Sequence, residues 1–343
     1  MPLTWKSLIR QSIFHTEDLP THLMPAPQSV RHLAMQLNPY FLSLIQEADD
    51  PIGKQAIPDG AELDDACGPD DPLAEGVQSP VPGLIHRYPG RVALMVSNRC
   101  ALHCRFCMRK RNVFPGSAVD PATLASGIEY IRSHAAINEV ILTGGDPLML
   151  DDAALGRLLD RLAQISHVRL LRIHTRMPSA LPQRITPSLV QRLSAFQPLY
   201  LNIHINHPRE ITAQCIEACA RMAGAGIALG SQTVLLKGVN DDGAVLAELM
   251  QTLLMIRVRP YYLHLLDRVR GTAHFQVSPE KAVALVTSLR GRISGMAVPQ
   301  LMLDLPGGGG KVALTPESVI RKSSDHWLIR NWQGKTFAYP LEP

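Results

Sequence analysis

The chain has 343 residues, of which 46% are hydrophobic and 19% charged, and its formal net charge at pH 7 is +4. This length suits one large α/β domain or two smaller ones with a packed core, and the composition excludes a disordered chain. The charge is too balanced to predict nucleic-acid binding, and the apolar runs are too short to span a membrane, so we expect neither partner. Residues 1–20 carry charges where a secretory signal would be apolar, which predicts a cytoplasmic protein.

Residues 1–84 are predicted to form an N-terminal helical and extended segment without a core of its own. Residues 29–47 have a helical apolar pattern that is interrupted near Pro39, whereas residues 50–83 are rich in Pro, Gly and Asp. We therefore expect residues 50–83 to be a linker or to be ordered through contacts with the rest of the chain.

Residues 85–311 alternate between short apolar strands and amphipathic helices. Strands are predicted at 92–97, 139–143, 168–174, 199–205, 228–236, 260–266 and 300–305. Helices are predicted at 121–134, 153–165, 187–196, 210–224, 242–257 and 278–291. This alternation predicts a parallel sheet covered by helices. Six β/α units with an extra strand favour an α/β fold of the partial (β/α)6, TIM-like barrel type, because no Gly-x-Gly-x-x-Gly follows an early strand as in a Rossmann fold. Residues 312–343 are predicted to be a short tail that packs over the barrel.

Polar residues with useful chemistry follow most of these strands, where barrel enzymes build their active sites. They are Cys100 to Cys107, Gly144, Gly145, Asp146, His174, Arg176, His204, Asp267, Asp304 and Lys311.

Three cysteines, Cys100, Cys104 and Cys107, form a C-x3-C-x2-C motif. Three thiolates on one loop can bind three irons of a [4Fe-4S] cluster and leave the fourth iron open. The alternatives are a zinc site, for which His103 is the only nearby fourth ligand, and three incidental cysteines. The other pair that we consider, Cys215 and Cys219, lies in an Ala-rich helical segment and is predicted to be buried and apolar.

Four glycines and a lysine follow the last predicted strand, in the sequence DLPGGGGK at residues 304–311. Ordering four consecutive glycines costs much conformational entropy, so we expect a compensating role such as backbone contact with a ligand. It is not a Walker A loop, because Val312 stands where Ser or Thr would hold magnesium. A lysine on this flexible loop could form an imine with an aldehyde cofactor, or it could be an exposed linker residue.

The cysteine motif resembles that of the radical S-adenosylmethionine (SAM) superfamily, and the whole core resembles the lysine 2,3-aminomutase family. The resemblance runs from about Asp71 to Lys311. It rests on the segments at 71–94, 104–111, 142–150, 202–212, 231–241, 260–267 and 304–311.

The resemblance implies a role for each matching residue. It implies that the three cysteines hold the cluster and that Lys311 holds pyridoxal 5′-phosphate (PLP) covalently. It implies that Arg109 binds the substrate carboxylate, while Asp267 and Asp304 hold its side-chain ammonium. The remaining positions are expected to contact PLP or SAM: Arg87, Arg91, Gly144, Gly145, Asp146, His204 and Gln232.

The implied reaction moves the amino group of L-lysine from C2 to C3 to give β-lysine, with an external electron donor and a homo-oligomeric state as further expectations. Retention of two carboxylates favours a cationic substrate, so ornithine and arginine are the alternatives to lysine. A PLP-independent radical SAM enzyme and a metal-binding nucleic-acid module remain as further alternatives. No cysteine follows Lys311, so the zinc-binding extension of longer relatives is not expected. The resemblance also covers the branch that supplies β-lysine to translation elongation factor P, and the product's destination stays open.

Overall fold

The computed structural model describes residues 4–25, 30, 32–65, 68–113, 119–315, 319–323, 326–331 and 333–340. Cys67 and Trp332 lie outside these ranges. Within them, no helix is both long and apolar enough to cross a membrane.

A nine-stranded sheet forms the centre of the described structure. Its strands lie side by side in chain order: β1 Leu84–Tyr88, β2 Arg91–Ser97, β3 Glu139–Gly144, β4 Leu170–Thr175, β5 Leu199–His204, β6 Ala228–Leu235, β7 Arg259–Leu265, β8 Gln300–Leu305 and β9 Gly310–Ala313. Strands β2 to β8 run parallel, whereas β1 and β9 pair antiparallel with the outer strands β2 and β8. All seven predicted strands are confirmed, and the sheet is a partial barrel that is open between β1 and β9.

Helices connect the parallel strands. The α-helices of the described residues are α1 Trp5–Arg10, α2 Pro39–Leu42, α3 Ala61–Asp64, α4 Lys110–Val113, α5 Pro121–Ser133, α6 Asp152–Ala163, α7 Met177–Ala180, α8 Pro187–Ser194, α9 Ala213–Gly224, α10 Gly243–Met255 and α11 Pro279–Leu289. The six predicted helices correspond to α5, α6 and α8 to α11. Each of these six begins at an Asp, Thr or Ser whose side chain accepts a hydrogen bond from the first turn, which fixes where the helix starts.

The N-terminal segment packs on the barrel rather than forming a separate core. In the described part of 29–47 the helical apolar pattern gives only the short α-helix α2, which begins at Pro39, where an interruption was expected. Leu37 instead makes isolated β-bridges with Ile13 and Leu102. Ile52 and Ile57 are buried in the main hydrophobic core, so this part of residues 50–83 is ordered by contact, as one of the two expectations proposed.

The C-terminal tail forms a small antiparallel sheet of its own. Its strands are β10 Val319–Lys322, β11 His326–Arg330 and β12 Thr336–Pro340. Their described side chains are half-buried or exposed, including Phe337 and Tyr339. Leu314, which precedes this sheet, packs against the barrel core, and the expectation that the rest of the tail packs over the barrel stays a prediction.

Candidate active site

One cavity of about 490 Å³ is lined by residues within the strands, such as Arg91 and Tyr261, and by residues that follow the strands, such as Cys100 and Asp267. Its lining includes every residue to which the sequence assigns a site: Arg87, Arg91, Cys100, Cys104, Cys107, Arg109, Gly144, Gly145, Asp146, His204, Gln232, Asp267, Asp304 and Lys311. The three-cysteine loop and Lys311 thus face the same cavity although they are about 200 residues apart in the chain.

Gly144 and Gly145 determine how close the cysteine loop comes to β3. Gly144 has a φ of +117°, which side chains rarely adopt, and a Cβ at Gly145 would lie 2.5 Å from the backbone oxygen of Arg99. The backbone N–H of Gly145 donates to the carbonyl of Ser97 at 2.5 Å. The sequence suggested that these glycines make room for a ligand, whereas the contacts observed are with the loop that carries the cysteines.

The three loop cysteines are free thiols that border the cavity. Burial raises the pKa of Cys100 well above its usual value and that of Cys107 to about 11. A buried thiolate needs cationic partners, and iron supplies them. Within the described ranges, no group of three or more His, Cys, Asp and Glu side chains surrounds the position of a single metal ion. The thiolates of a cluster bind different irons and need not converge in this way, so the loop fits a [4Fe-4S] cluster.

Asp146 organises the backbone behind this loop. Its carboxylate accepts hydrogen bonds from Thr175 Oγ1 at 2.8 and 2.9 Å, the backbone N–H of Arg176 at 2.8 Å and that of Leu148 at 2.9 Å. These contacts satisfy the carboxylate within the protein. Asp146 therefore positions the backbone at this loop, and because it also lines the cavity, its expected cofactor contact stays a prediction.

Lys311 lies on a strand and not on a flexible loop, which corrects the expectation from the glycine run. The glycines form the turn between β8 and β9, and Gly307, Gly308 and Gly310 have positive φ angles of 65°, 85° and 86°. The antiparallel register pairs Lys311 directly with Asp304, and the Nζ atom of Lys311 forms an ion pair with Oδ2 of that aspartate.

Two carboxylates lie together at this end of the cavity. Asp304 is buried and also receives Arg87 Nη1 at 3.4 Å on its Oδ1 atom. Burial, and then the charge of Asp304, raise the pKa of Asp267 to about 7 despite opposing effects of Lys311 and Arg109. Two desolvated carboxylates at one site favour a bound cation.

Arg109 is held by Glu75, a residue that sequence reasoning did not find. Arg109 Nε donates to both carboxylate oxygens of Glu75 at 3.1 Å, Nη2 donates to Oε1 at 2.7 Å, and Nη1 donates to Thr143 Oγ1 at 3.0 Å. Burial raises the pKa of Glu75, but Arg109 and Arg111 outweigh this effect and hold it below its usual value. The guanidinium of Arg109 is therefore fixed at the cavity wall by an ionised carboxylate.

Arg87 and Arg91, the two arginines expected to contact a cofactor, have different surroundings. Arg87 is engaged by the protein, because Nε donates to Gln78 Oε1 at 2.5 Å and Nη2 donates to the carbonyl of Leu73 at 3.0 Å. Arg91 stacks over the ring of Tyr88, with 4.4 Å from Cζ to the ring centroid, and borders the cavity. Of the two, Arg91 is better placed to bind a phosphate group.

Burial lowers the pKa of three histidines on the cavity wall, which favours their neutral forms. Burial, and then Arg176, lower the pKa of His204 to about 4, and its Nε2 atom lies 3.0 Å from Asn206 Oδ1. Burial also lowers the pKa values of His174 and His264 well below the usual value. His264 was not singled out by sequence reasoning, although its position within predicted strand β7 is a signal that could have found it.

Comparisons with known proteins identify the family of this chain. A model of the radical SAM superfamily matches residues 94–250, and a lysine-2,3-aminomutase model matches residues 286–343. L-lysine 2,3-aminomutase of Clostridium subterminale is 42% identical over 98% of this chain and 84% of its own length. Glutamate 2,3-aminomutase of Clostridioides difficile (strain 630) is 41% identical over 90% of this chain and 74% of its own length.

Among solved structures, a radical SAM methyltransferase from Sphaerobacter thermophilus has a TM-score of 0.46 at 18% identity, covering 64% of this chain and 68% of its own. The radical SAM family implies a [4Fe-4S] cluster and SAM as cofactors. The chain belongs to the lysine 2,3-aminomutase family of the radical SAM superfamily and is an isomerase.

Proposed function

We propose that the protein is a PLP-dependent aminomutase that exchanges the amino group on C2 of L-lysine with a hydrogen atom on C3 and so forms β-lysine. One observation carries this proposal. The half-buried Asp267, the buried Asp304 and the guanidinium of Arg109 border the same cavity as the cysteine loop and Lys311.

The charges in the cavity favour lysine over an acidic substrate. Arg109 suits the carboxylate of any amino acid, whereas Asp267 and Asp304 suit a side-chain ammonium. Relatives named for lysine and for glutamate are almost equally identical to this chain, so overall identity does not select the substrate. A glutamate side chain would meet two carboxylates in a desolvated site, which is strongly unfavourable.

The residues fit the cofactors that this reaction needs. Lys311 Nζ is a primary amine that can bind an aldehyde, and Arg91 offers a cation for a phosphate. The cluster with SAM supplies a carbon-centred radical that removes a hydrogen atom, and PLP supplies a conjugated ring that stabilises the unpaired electron beside the migrating nitrogen.

The protein's own contribution is to position the substrate and to control charge. Arg109 would hold one end of lysine while Asp267 and Asp304 hold the other, which fixes C2 and C3 relative to the cluster. Because His174, His204 and His264 are neutral, they add no cation that would compete with the ammonium of lysine.

An anaerobic assay tests the proposal. The protein is reconstituted with iron, sulfide, PLP, SAM and dithionite and is then incubated separately with lysine, ornithine, arginine and glutamate. We expect a β-amino acid from lysine and none from glutamate by liquid chromatography and mass spectrometry. If lysine is recovered unrearranged from protein that carries both cluster and PLP, the proposal is wrong. A product from ornithine or arginine in its place would replace lysine as the substrate.

A further inference from the structure

Arg176 contacts the cysteine loop from outside the motif that defines it. It directly follows β4, and its buried guanidinium lies 72 residues away in the chain from Cys104. Its Nη1 atom donates a hydrogen bond to Cys104 Sγ at 2.8 Å. A hydrogen bond from a cation to a sulfur atom is charge-assisted and therefore strong.

The guanidinium of Arg176 is held rigidly. Its Nη2 atom donates to Gln55 Oε1 at 2.6 Å and to Glu210 Oε2 at 3.0 Å. The ring centroids of Phe41 and Phe106 lie 5.2 and 5.5 Å from its Cζ atom. Packing and hydrogen bonds thus fix both the position and the plane of this cation.

Glu210 is itself fixed within the fold. It is fully buried, and its Oε1 atom accepts the backbone N–H groups of Asn206 at 2.9 Å and of His207 at 3.0 Å. The carboxylate is therefore a permanent negative charge on the side of Arg176 that faces away from Cys104. It partly offsets the effect that the guanidinium has on the sulfur atom.

We propose that Arg176 is a positioning residue that raises the reduction potential of the cluster by donating to Cys104 Sγ, an inference that rests on the proposed role of the three cysteines. Reduction brings one electron from a low-potential one-electron donor into the cluster and makes it more negative. A cation hydrogen-bonded to a ligand sulfur stabilises that reduced form more than the oxidised form. Glu210 acts through Arg176 and has the opposite effect.

The test is an anaerobic redox titration of the reconstituted full-length protein, followed by electron paramagnetic resonance without SAM or substrate. At a fixed potential, Arg176→Gln should lower the ratio of reduced to oxidised cluster about tenfold relative to the wild type, as expected for the loss of one charge-assisted hydrogen bond. Arg176→Lys should give a smaller decrease. Glu210→Gln should raise the ratio.

Arg184→Gln is the matched control. Arg184 is a buried arginine whose Nε and Nη2 atoms donate to the carbonyls of Leu148 and Leu150 at 2.6 and 2.8 Å. Its loss should lower stability and leave the potential unchanged. An unchanged potential in Arg176→Gln with full iron and sulfide content would overturn the inference, as would a decrease of the same size in Arg184→Gln.

Two other variants decide the outcome if Arg176→Gln does not fold or does not bind the cluster. If Arg176→Gln retains no cluster, the signs of the shifts in Arg176→Lys and Glu210→Gln decide, and shifts of the same sign or no shift in either variant overturn the proposal. These readings need no turnover. A wild-type protein that forms a cluster without making β-lysine would contradict the proposed function and not this inference.

Discussion

Lowering the pH should weaken the use of lysine through one carboxylate, Asp267. Its pKa is about 7, raised by burial and by the charge of Asp304. Above pH 7 it is ionised and can hold an ammonium group, whereas below pH 7 it is protonated and neutral. Below about pH 7, kcat/KM for lysine should therefore fall about tenfold for each pH unit.

Substitution of Asp267 measures, at fixed pH, how much its charge contributes to kcat/KM for lysine. Asp267→Asn keeps the size of the side chain and removes its charge. Loss of one hydrogen bond between charged groups costs about 1.5 to 3 kcal/mol, so kcat/KM for lysine at pH 8 should fall about 10- to 100-fold. Cluster content and PLP binding should be unchanged.

Lower pH, which should weaken the use of lysine, should increase the stability of the substrate-free protein. The pKa of Asp267 rises from 3.8 to about 7 on folding, so the folded state binds this proton more tightly. Ionisation therefore lowers the free energy of unfolding as the pH rises from about 4 through 7. The full shift corresponds to about 4 kcal/mol, and water in the cavity reduces it, so Asp267→Asn should be more stable than the wild type at pH 8 by on the order of 2 kcal/mol.

The assay combines initial rates between pH 6 and 8.5 with urea unfolding at pH 8. Asp160→Asn is the control, because Asp160 is a half-exposed carboxylate on α6 that pairs with Arg192. It should change neither kcat/KM nor its pH dependence. If Asp267→Asn retains the acidic decrease of the wild type, another group titrates there, and if its lysine kinetics are normal, Asp267 does not bind substrate.

Three further substitutions test other parts of the site. Lys311→Ala should abolish the absorption change on PLP addition and the formation of β-lysine, with cluster absorption retained, and an unchanged PLP spectrum would contradict the role of this lysine. Glu75→Gln should raise KM for lysine and lower the free energy of unfolding by about 3 kcal/mol, because it leaves Arg109 without its buried charged partner. Initial rates measure KM, and urea titration measures the free energy of unfolding. A variant with normal KM would show that Glu75 does not contribute to the site. Gly145→Ala should lower the iron content after reconstitution, since its Cβ would displace the cysteine loop at Arg99, and full iron content would show that the loop tolerates the displacement.

The parallel strands and their helices could be predicted from the sequence because burial on both faces makes the strands apolar runs. The edges of the sheet could not. β1 and β9 are short and contain His86, Arg87 and Lys311, so their residues lack the apolar pattern of an inner strand. The apolar spacing of 29–47 is helical but does not reveal isolated bridges to distant segments, such as the one between Leu37 and Leu102.

Candidate site residues could be predicted where a reactive or charged side chain comes just after a strand, as Cys100 and Asp267 do. The contacts that support them could not, because these contacts join residues that are far apart in the chain. Glu75 and Arg109 are separated by 34 residues, and Gln55 and Arg176 by 121. Spacing in the sequence carries no signal for such pairs, which form only when the N-terminal segment packs against the barrel.

The hairpin of β8 and β9 links cofactor attachment to substrate recognition. Its register places the Lys311 ammonium on Asp304, the carboxylate that we assign to the side chain of lysine. If Lys311 Nζ held the aldehyde of PLP, it would no longer be a free primary ammonium beside Asp304, and Asp304 could accept a second cation. A substrate with a side-chain ammonium supplies it, whereas a neutral or acidic side chain leaves a buried carboxylate without a full partner. The proposed preference for a cationic amino acid is therefore consistent with the pairing between Lys311 and Asp304.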